Sequence, residues 1–391
     1  MSDSNRVRIS YIEEVTRGTT PSGNLQAVNV TGHSISTTPS TVDSQTIRQD
    51  GNNYDTIRTD MVPGGGIPTE LIFENADPWI ESVFRSSFDS QISLSGTTFS
   101  IDASGSPITL DDSGSGLGSL KPNDAIIVSG FTDSNNNGVF LIGGNTAAGS
   151  VDIIAVDPDK TPTTEAAGDS VTITTTRLEN GVTPKFFSIQ EDNDLTGIFR
   201  AWKGSEFDTL TLTFTAGQVI TAAFNMQAQS EPDISATIGT GYTAATTNEV
   251  INMEDGYVGT LIGLNGAAAS SAPSCVTSVT YTITNNVRRT KGANCTKFGN
   301  GKFTVTATVT AFFSEKTIYD AFLANQTFSI TSAAIDPSNQ GYALTVPTMR
   351  FTGNDPSVPS GDSDIIATFT GTAKVSTVGS DTYSAILSKL G

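Results

Sequence analysis

The chain contains 391 residues, only 16% of them charged, and its formal net charge at pH 7 is −19. This length exceeds what one hydrophobic core usually organises, so about two or three domains are expected. The acidity opposes binding to nucleic-acid phosphates, and no apolar run reaches the roughly 20 residues of a membrane-spanning helix. The amino-terminal residues also lack the apolar core of a secretory signal, so we expect synthesis in a cytoplasm and no membrane anchor.

A long polar segment, residues 32–72, alternates like two strands around a turn at Asp50–Asn53. We call this segment the arm. Its apolar residues are sparse, and a hairpin with so few of them cannot be held by its own core. Its strand edges would also expose unpaired backbone groups. The pattern therefore indicates an arm that is stabilised by neighbouring copies, whereas a disordered loop is the alternative that the polar composition allows.

Two short helices are predicted, each directly after a strand that ends in an aromatic residue. The first opens at Asp77, an N-cap candidate, and has proline at its first helical position. The second begins at Ser314 with Glu315 behind it. Both have apolar side chains at helical spacing: Trp79, Ile80, Val83 and Phe84 in the first, and Ile318, Tyr319, Ala321 and Phe322 in the second.

Alternation of apolar and threonine residues predicts strands with one buried and one polar face. The clearest case is residues 301–313, and residues 209–215 follow the same pattern. The predicted buried residues are Phe303, Val305, Ala307, Val309, Ala311 and Phe313 in the first strand, and Leu210, Leu212 and Phe214 in the second.

A few short sequence motifs occur twice along the chain in the same order, and this indicates an internal duplication. Phe-Ser-Ile occurs at 187–189 and again at 328–330, each time after a predicted helix. The pattern Ala-x-Phe-x-x-x-Ala follows from Ala222 in one copy and from Ala367 in the other. The shared order is hairpin, glycine-led strand, helix, Phe-Ser-Ile strand and final Ala-x-Phe strand.

The first copy contains an extra stretch, residues 91–179, with short strands and turn clusters of its own. Such strands suggest a small β-barrel or sandwich inserted at an exposed connection. The predicted organisation is therefore a first repeat at 1–90 and 180–235, the insertion at 91–179, and a second repeat at 236–391.

No group of residues requires catalysis, a metal or a cofactor. The histidine His33 has no neighbouring acid and favours a surface or interface role over a triad. The run Asp133–Gly138 matches half of a calcium loop, but a turn explains it better. The acidic run Glu191–Asp194 is interpreted as a solvated loop. Cys275 and Cys295 match neither a zinc pattern nor a disulfide framework, and two unpaired thiols are expected.

Several segments of the chain resemble the major tail tube proteins of long-tailed, siphovirus-like bacteriophages. They are Tyr11–Pro21, Ser44–Asp50, Gly65–Leu71 and Thr304–Phe313 with its following helix. The inserted stretch Val128–Gly138 is similar to a module that many such tail proteins carry. The resemblance covers most of the chain.

This resemblance implies a mainly β fold of two tandem β-sandwich or half-barrel repeats, each with one short α-helix, plus the inserted small β-barrel or sandwich. Strands from all copies would surround a lumen in helically stacked rings that house the tape-measure protein and conduct DNA without binding it specifically. Tail terminator and distal tail proteins are further expected partners, and no cofactor is expected. The protein would be made in the host bacterial cytoplasm and reside in the virion tail.

The resemblance also implies a ring size and a place for the arm. Tubes of this family use sixfold arrangements of one small β-domain, so two repeats per chain predict a trimeric ring with pseudo-sixfold symmetry; a hexameric ring is the alternative. The insertion would face outward and be dispensable for ring closure. The charged arm residues expected at the lumen or between subunits are Asp43, Arg48, Asp50, Asp55, Arg58 and Asp60.

Two other classes of protein fit parts of the sequence. One is a surface adhesin or fibre of immunoglobulin-like modules, which would expose ligand loops and need no ring. The other is a glycan-binding or glycan-degrading enzyme of the virion, which would need an aromatic platform or paired carboxylates in a cleft.

Overall fold

The computed structural model describes residues 6–193, 198–254, 256–264, 270–271, 276–293, 295–312, 316–357, 364–378 and 381–391. The protein is mainly β, as the alternation predicted, and its described residues include two short α-helices. No helix in these ranges is long and apolar enough to span a bilayer.

The elements fall into four consecutive groups. The first contains β1 (Val7–Glu14), β2 (Asn24–Val28), β3 (Ser36–Asp43), β4 (Thr56–Glu70) and α1 (Asp77–Phe84). The second contains β5 (Ile92–Gly96), β6 (Phe99–Asp102), β7 (Ile108–Asp112), β8 (Ala125–Ser129), β9 (Gly138–Ala147), β10 (Ser150–Ala155) and β11 (Val171–Glu179). The third contains β12 (Phe186–Asn193), β13 (Ile198–Thr215), β14 (Thr221–Gln227) and β15 (Gly241–Thr243). The fourth contains β16 (Tyr257–Leu264), β17 (Ser270–Ser271), β18 (Val276–Thr284), β19 (Arg288–Lys291), β20 (Thr296–Gly299), β21 (Thr304–Phe312), α2 (Thr317–Leu323), β22 (Thr327–Ile335), β23 (Gly341–Ser357), β24 (Ile366–Ala373), β25 (Ser376–Val378), β26 (Asp381–Tyr383) and β27 (Ile386–Leu390).

Two groups of six antiparallel strands have matching arrangements. The first strand set has the order β1, β12, β13, β14, β4 and β3. The second strand set has the order β16, β22, β23, β24, β21 and β18. Helix α1 follows β4 in the chain, and α2 follows β21, which is the fifth strand of the second set.

The repeated sequence motifs occupy matching places in these two sets. Phe187 pairs with Ser205 just before a register shift, and Phe328 pairs with Met349 just before a shift of the same kind. Phe224 of the first Ala-x-Phe motif lies opposite Ile67. Its counterpart Phe369 lies opposite Val309. Each residue of one strand set can therefore be assigned an equivalent residue in the other.

One hydrophobic core runs beneath both strand sets. The predicted alternation is confirmed, because Leu210, Leu212 and Phe214 are buried, as are Val305, Ala307, Val309 and Ala311. Phe303 is only partly buried, and Phe313 lies outside the described residues. Helix α1 contributes the fully buried Trp79, whose ring centroid lies 4.8 Å from that of Phe207.

The helix starts differ in detail from the predicted ones. The N-cap of α1 is Ala76, with no side-chain cap, so the assignment of Asp77 as N-cap was wrong. The Asp77 carboxylate instead accepts hydrogen bonds from the Tyr342 hydroxyl and, at 2.8 Å, from Lys389 Nζ. For α2, the predicted starting residues Ser314 and Glu315 lie outside the described residues.

Strands β5 to β11 form a sheet around a separate core, in the order β6, β7, β10, β9, β8, β11 and β5. The last part of β11, Thr176–Glu179, leaves this sheet and pairs with β27. A further apolar cluster joins the module to the second strand set, and its members include Ile127, Leu141, Leu261 and Leu390. The module is thus attached by shared packing as well as by its two chain connections.

Candidate functional site

The two strand sets meet along β13 and β18, and this contact makes one continuous sheet. Thr209 pairs with Thr284 and Thr215 pairs with Ser278 at the two ends of the ladder. Just beyond it, the Asn285 N–H donates to the backbone oxygen of Asp208 at 2.8 Å. We call this contact the internal junction.

A hairpin formed by β19 and β20 continues the second strand set past the internal junction and lies against the first. Its Arg289 makes an ion pair with Asp60 of β4 and donates from Nη2 to the Met61 oxygen at 3.0 Å. Lys291 Nζ lies 3.6 Å from the same carboxylate. The hydrogen bond from Arg289 lowers the pKa of Asp60 to about 2. Asp60 is therefore ionised throughout the neutral range.

Arg17 provides a second contact between this hairpin and the first strand set. Its guanidinium carbon lies 4.0 Å from the ring centroids of both Phe186 and Phe298, and Phe298 belongs to the hairpin. Arg17 also makes an ion pair with Glu206, whose side chain is fully buried. Burial raises the pKa of Glu206, and the charge of Arg17 opposes this shift. The arginine thus neutralises a buried acid while it packs between two rings.

The arm forms the corresponding hairpin of the first strand set, as the alternation predicted, but among the described residues no comparable contact with another strand supports its outer part. Strands β3 and β4 pair from Ser36 opposite Gly64 to Asp43 opposite Thr56. Large apolar side chains near and beyond that end are exposed: Ile47 97%, Tyr54 61%, Val42 57% and Ile57 54%. Several exposed apolar residues on one hairpin are typical of a contact surface.

The predicted site residues fall into two groups. Five lie on the exposed part of the arm: Asp43, Arg48, Asp50, Asp55 and Arg58. Within this group Arg48 Nη2 lies 2.6 Å from Asp50 Oδ2, and this hydrogen bond lowers the pKa of Asp50. Asp43 Oδ1 accepts from the Thr56 hydroxyl at 2.6 Å.

The sixth residue, Asp60, lies apart from these five, where the β19–β20 hairpin contacts β4 beside the internal junction. Sequence reasoning missed its partners Arg289 and Lys291. The basic run Arg288-Arg289-Thr290-Lys291 in an acidic chain was the available signal.

The polar face of the continuous sheet consists of threonines. One row crosses four strands, because Thr213 pairs with Thr280, Thr280 with Thr308, and Thr308 with Thr370. A second row contains Thr211, Thr282, Thr306 and Thr372. All of these side chains are half-buried, on the face opposite the core. This part of the sheet therefore presents hydroxyl and methyl groups without formal charge.

The other candidate residues have local structural partners. His33 Nε2 lies 3.5 Å from Glu191, and its ring centroid lies 6.0 Å from that of Trp202. Interpreting the acidic run as a solvated loop was wrong for Glu191 and Asp192, because both are buried in β12. Arg200 and Arg8 neutralise them there. The run's last residue, Asp194, lies outside the described residues.

The half-matching calcium loop is a connection between the paired strands β8 and β9. Asp133 Oδ1 accepts from the Asn135 N–H at 2.9 Å, and Asp133 Oδ2 accepts from the Thr163 hydroxyl at 2.6 Å. In the part of the chain that the structure describes, no three His, Cys, Asp or Glu residues are grouped for a metal ion. Cys295 is free and exposed. Cys275 lies outside the described residues.

Comparison with known proteins places these features in one family. No curated protein matches the chain. The family described as phage tail tube protein matches residues 4–373, which is nearly the whole sequence. A mainly β chain with an exposed, partly apolar hairpin suits a protein that works by self-association. The chain therefore belongs to the phage tail tube protein family, whose members are structural components of the virion tail.

Proposed function

We propose that three copies of this chain close into a ring with pseudo-sixfold symmetry, and that the rings stack helically into the tail tube. The observation that carries this proposal is the pair of matching six-strand sets, which already join edge to edge at the internal junction. If the same kind of contact joins successive chains, every ring contains an even number of equivalent sets. Closure then removes the free strand edges that a single chain exposes.

The proposed domain division follows the same correspondence. The first repeat comprises 1–90 and 180–235, the second comprises 236–391, and the inserted module comprises 91–179. Each repeat then has about 150 residues, an ordinary size for one domain. Six chains would bring twelve repeats to a ring, and the lumen would be too wide unless half of the repeats lay outside the barrel. The hexameric ring is therefore the second choice.

The threonine face supports a lumen through which DNA passes without specific binding. A basic wall would hold phosphates, whereas uncharged hydroxyl groups on a chain of net charge −19 would not. The tube would house the tape-measure protein before ejection and contact tail terminator and distal tail proteins at its ends. Synthesis and assembly would take place in the host bacterial cytoplasm.

Electron microscopy of the purified protein tests this proposal. Negative staining should show tubes or stacked rings, and a cryo-electron microscopy reconstruction should show three chains per ring. Six chains per ring would replace the trimer with the hexamer and leave the tube function intact. Monomers at all concentrations in the presence of tape-measure protein would contradict the proposed assembly.

A further inference from the structure

When residues of the two strand sets are matched by their strand pairing, residues beside the internal junction in one set correspond to residues of opposite charge in the other. Asp60 and Lys302 each lie seven residues before the equivalent positions Ile67 and Val309. Asp60 is an acid and Lys302 is a base, although the two residues occupy equivalent positions of the two strand sets. Lys302 is exposed, and within the described ranges no carboxylate forms an ion pair with it.

Arg289, which donates hydrogen bonds to Asp60, also has a counterpart of opposite charge. Thr38 lies opposite Val62 in the β3–β4 pair, and Thr284 lies opposite Thr304 at the equivalent point of the β18–β21 pair. Asp43 lies five residues after Thr38 in the arm, and Arg289 lies five residues after Thr284. A third pair, Asp55 and Lys297, follows from the same register. At these three positions the arm carries an acid where the second strand set or its β19–β20 hairpin carries a base, whereas Arg288 and Lys291 have the uncharged counterparts Val42 and Gln45.

Both strands that would form an equivalent junction between chains have free edges. Among the pairings of the described residues, β3 pairs only with β4. The last part of β23, Gly353–Ser357, pairs only with β24. These two segments correspond to β18 and to Thr209–Thr213, which pair with each other at the internal junction.

We propose that the contact between successive chains repeats the internal junction with its charges exchanged. This inference rests on the proposed ring. Strand β3 of one copy would pair with the end of β23 of the preceding copy, antiparallel, with Thr38 opposite Gly353 and Ser34 opposite Ser357. Asp43 of the first copy would then bind Lys302 of the preceding one, as Arg289 binds Asp60 within a chain.

The transferred register also sets where this ladder ends. At the internal junction the Asn285 N–H donates to the oxygen of Asp208, but the position of Asn285 is occupied by Pro39 in the arm. Proline has no N–H, so the ladder between chains stops at Thr38. The outer arm beyond that point is free to lie across the second strand set of the preceding copy.

The exchange of charges has a consequence for specificity. If the arm of one copy replaced β18 on the first strand set of another copy, its Asp43 would lie against Asp60 of that copy. If the β19–β20 hairpin of one copy docked on the second strand set of another copy, its Arg289 would lie against Lys302 of that copy. Both incorrect contacts pair like charges, so the two kinds of junction are forced to alternate around the ring.

A charge exchange between Asp43 and Lys302 tests the proposed contact. We expect Asp43→Lys and Lys302→Asp each to raise the critical concentration for assembly about tenfold, which corresponds to about 1.4 kcal/mol. The double variant D43K/K302D should restore assembly to near the wild-type concentration. Lys374→Asp, a charge reversal at an exposed residue outside the arm and outside the β19–β20 hairpin, is the matched control. Additive losses in the double variant would overturn the proposal.

Cysteine pairs test the register independently. In a C275A/C295A background, Thr38→Cys with Gly353→Cys should form a disulfide between chains only when tubes are present, because opposed strand residues lie within disulfide distance. Thr38→Cys with Asn354→Cys, shifted by one residue, should not cross-link. Tubes that cross-link in neither pair, or equally in both, would refute this register while the tube function stands. Absence of tubes from the wild-type protein would instead refute the proposed function.

Discussion

Arg17, in the connection between β1 and β2, lies against Phe298 of the β19–β20 hairpin, with its guanidinium carbon 4.0 Å from the ring centroid, while its charge neutralises the buried Glu206. Two segments 281 residues apart in the sequence are therefore held together by one side chain. This contact lies beside the internal junction, where the two strand sets become one sheet.

Replacement of Arg17 by methionine should destabilise the monomer by about 3 kcal/mol or more, because it removes the ion-pair partner of the buried Glu206 carboxylate. The variant R17M/E206Q should recover much of this loss, since the amide needs no neutralisation. The measurement is urea denaturation of unassembled protein. Equal losses in R17M and R17M/E206Q would show that packing on Phe186 and Phe298, and not charge, is what Arg17 contributes.

The Asp60 contact predicts how stability depends on pH. Because the pKa of Asp60 is lowered to about 2 in the folded protein, its ion pair contributes stability above the unfolded pKa of about 4. That contribution should disappear as the pH falls from about 4 to 2. The difference in unfolding free energy between wild type and Asp60→Asn, measured from pH 6 to pH 2, should therefore shrink toward zero at the acid end.

Arg289→Gln provides the control for this titration. Its loss of stability should match that of Asp60→Asn at pH 6, and it should show the same convergence with wild type in acid. A difference between wild type and Asp60→Asn that stays constant over the whole range would contradict the assigned ion pair.

The inserted module was expected to be dispensable for ring closure. Because the module packs against the second strand set, a simple deletion would expose apolar residues. Joining residue 90 to residue 180 with a short Gly/Ser linker would expose Leu261 and Leu390 and remove the β11 partner of β27. We expect this deletion to aggregate. Adding Leu261→Thr and Leu390→Thr should restore solubility and permit tube formation, as judged by sedimentation and negative staining. Soluble protein that never assembles would show that the module contributes to ring or stacking contacts.

The threonine face predicts the effect of a basic lumen. Thr280→Lys with Thr308→Lys places two cations on adjacent strands in the middle of that face. Tubes of this variant should retain double-stranded DNA, and the retention should fall steeply as salt is raised. The T280Q/T308Q variant controls for side-chain size. Lysine tubes that bind no more DNA than wild-type tubes would place the threonine face away from the DNA path.

The sequence by itself determined the local structure of this protein and the kind of assembly it enters. Alternation in residues 301–313 identified a one-sided strand because successive side chains of a strand point to opposite faces. The polar arm was recognised by the same rule, since it alternates without enough apolar residues for a core. The tail tube resemblance followed from short segments spread along the chain.

Only the tertiary structure decided which distant residues meet. The ion pair between Arg289 and Asp60 joins positions 229 apart, and many other acids were equally available in the sequence. Glu191 and Asp192 looked like solvent-exposed charges until strand pairing placed arginines beside them. The attachment of β27 to the inserted module was equally hidden. Alternation fixes the face to which a side chain points, but the partner of each strand depends on the packing of the whole chain.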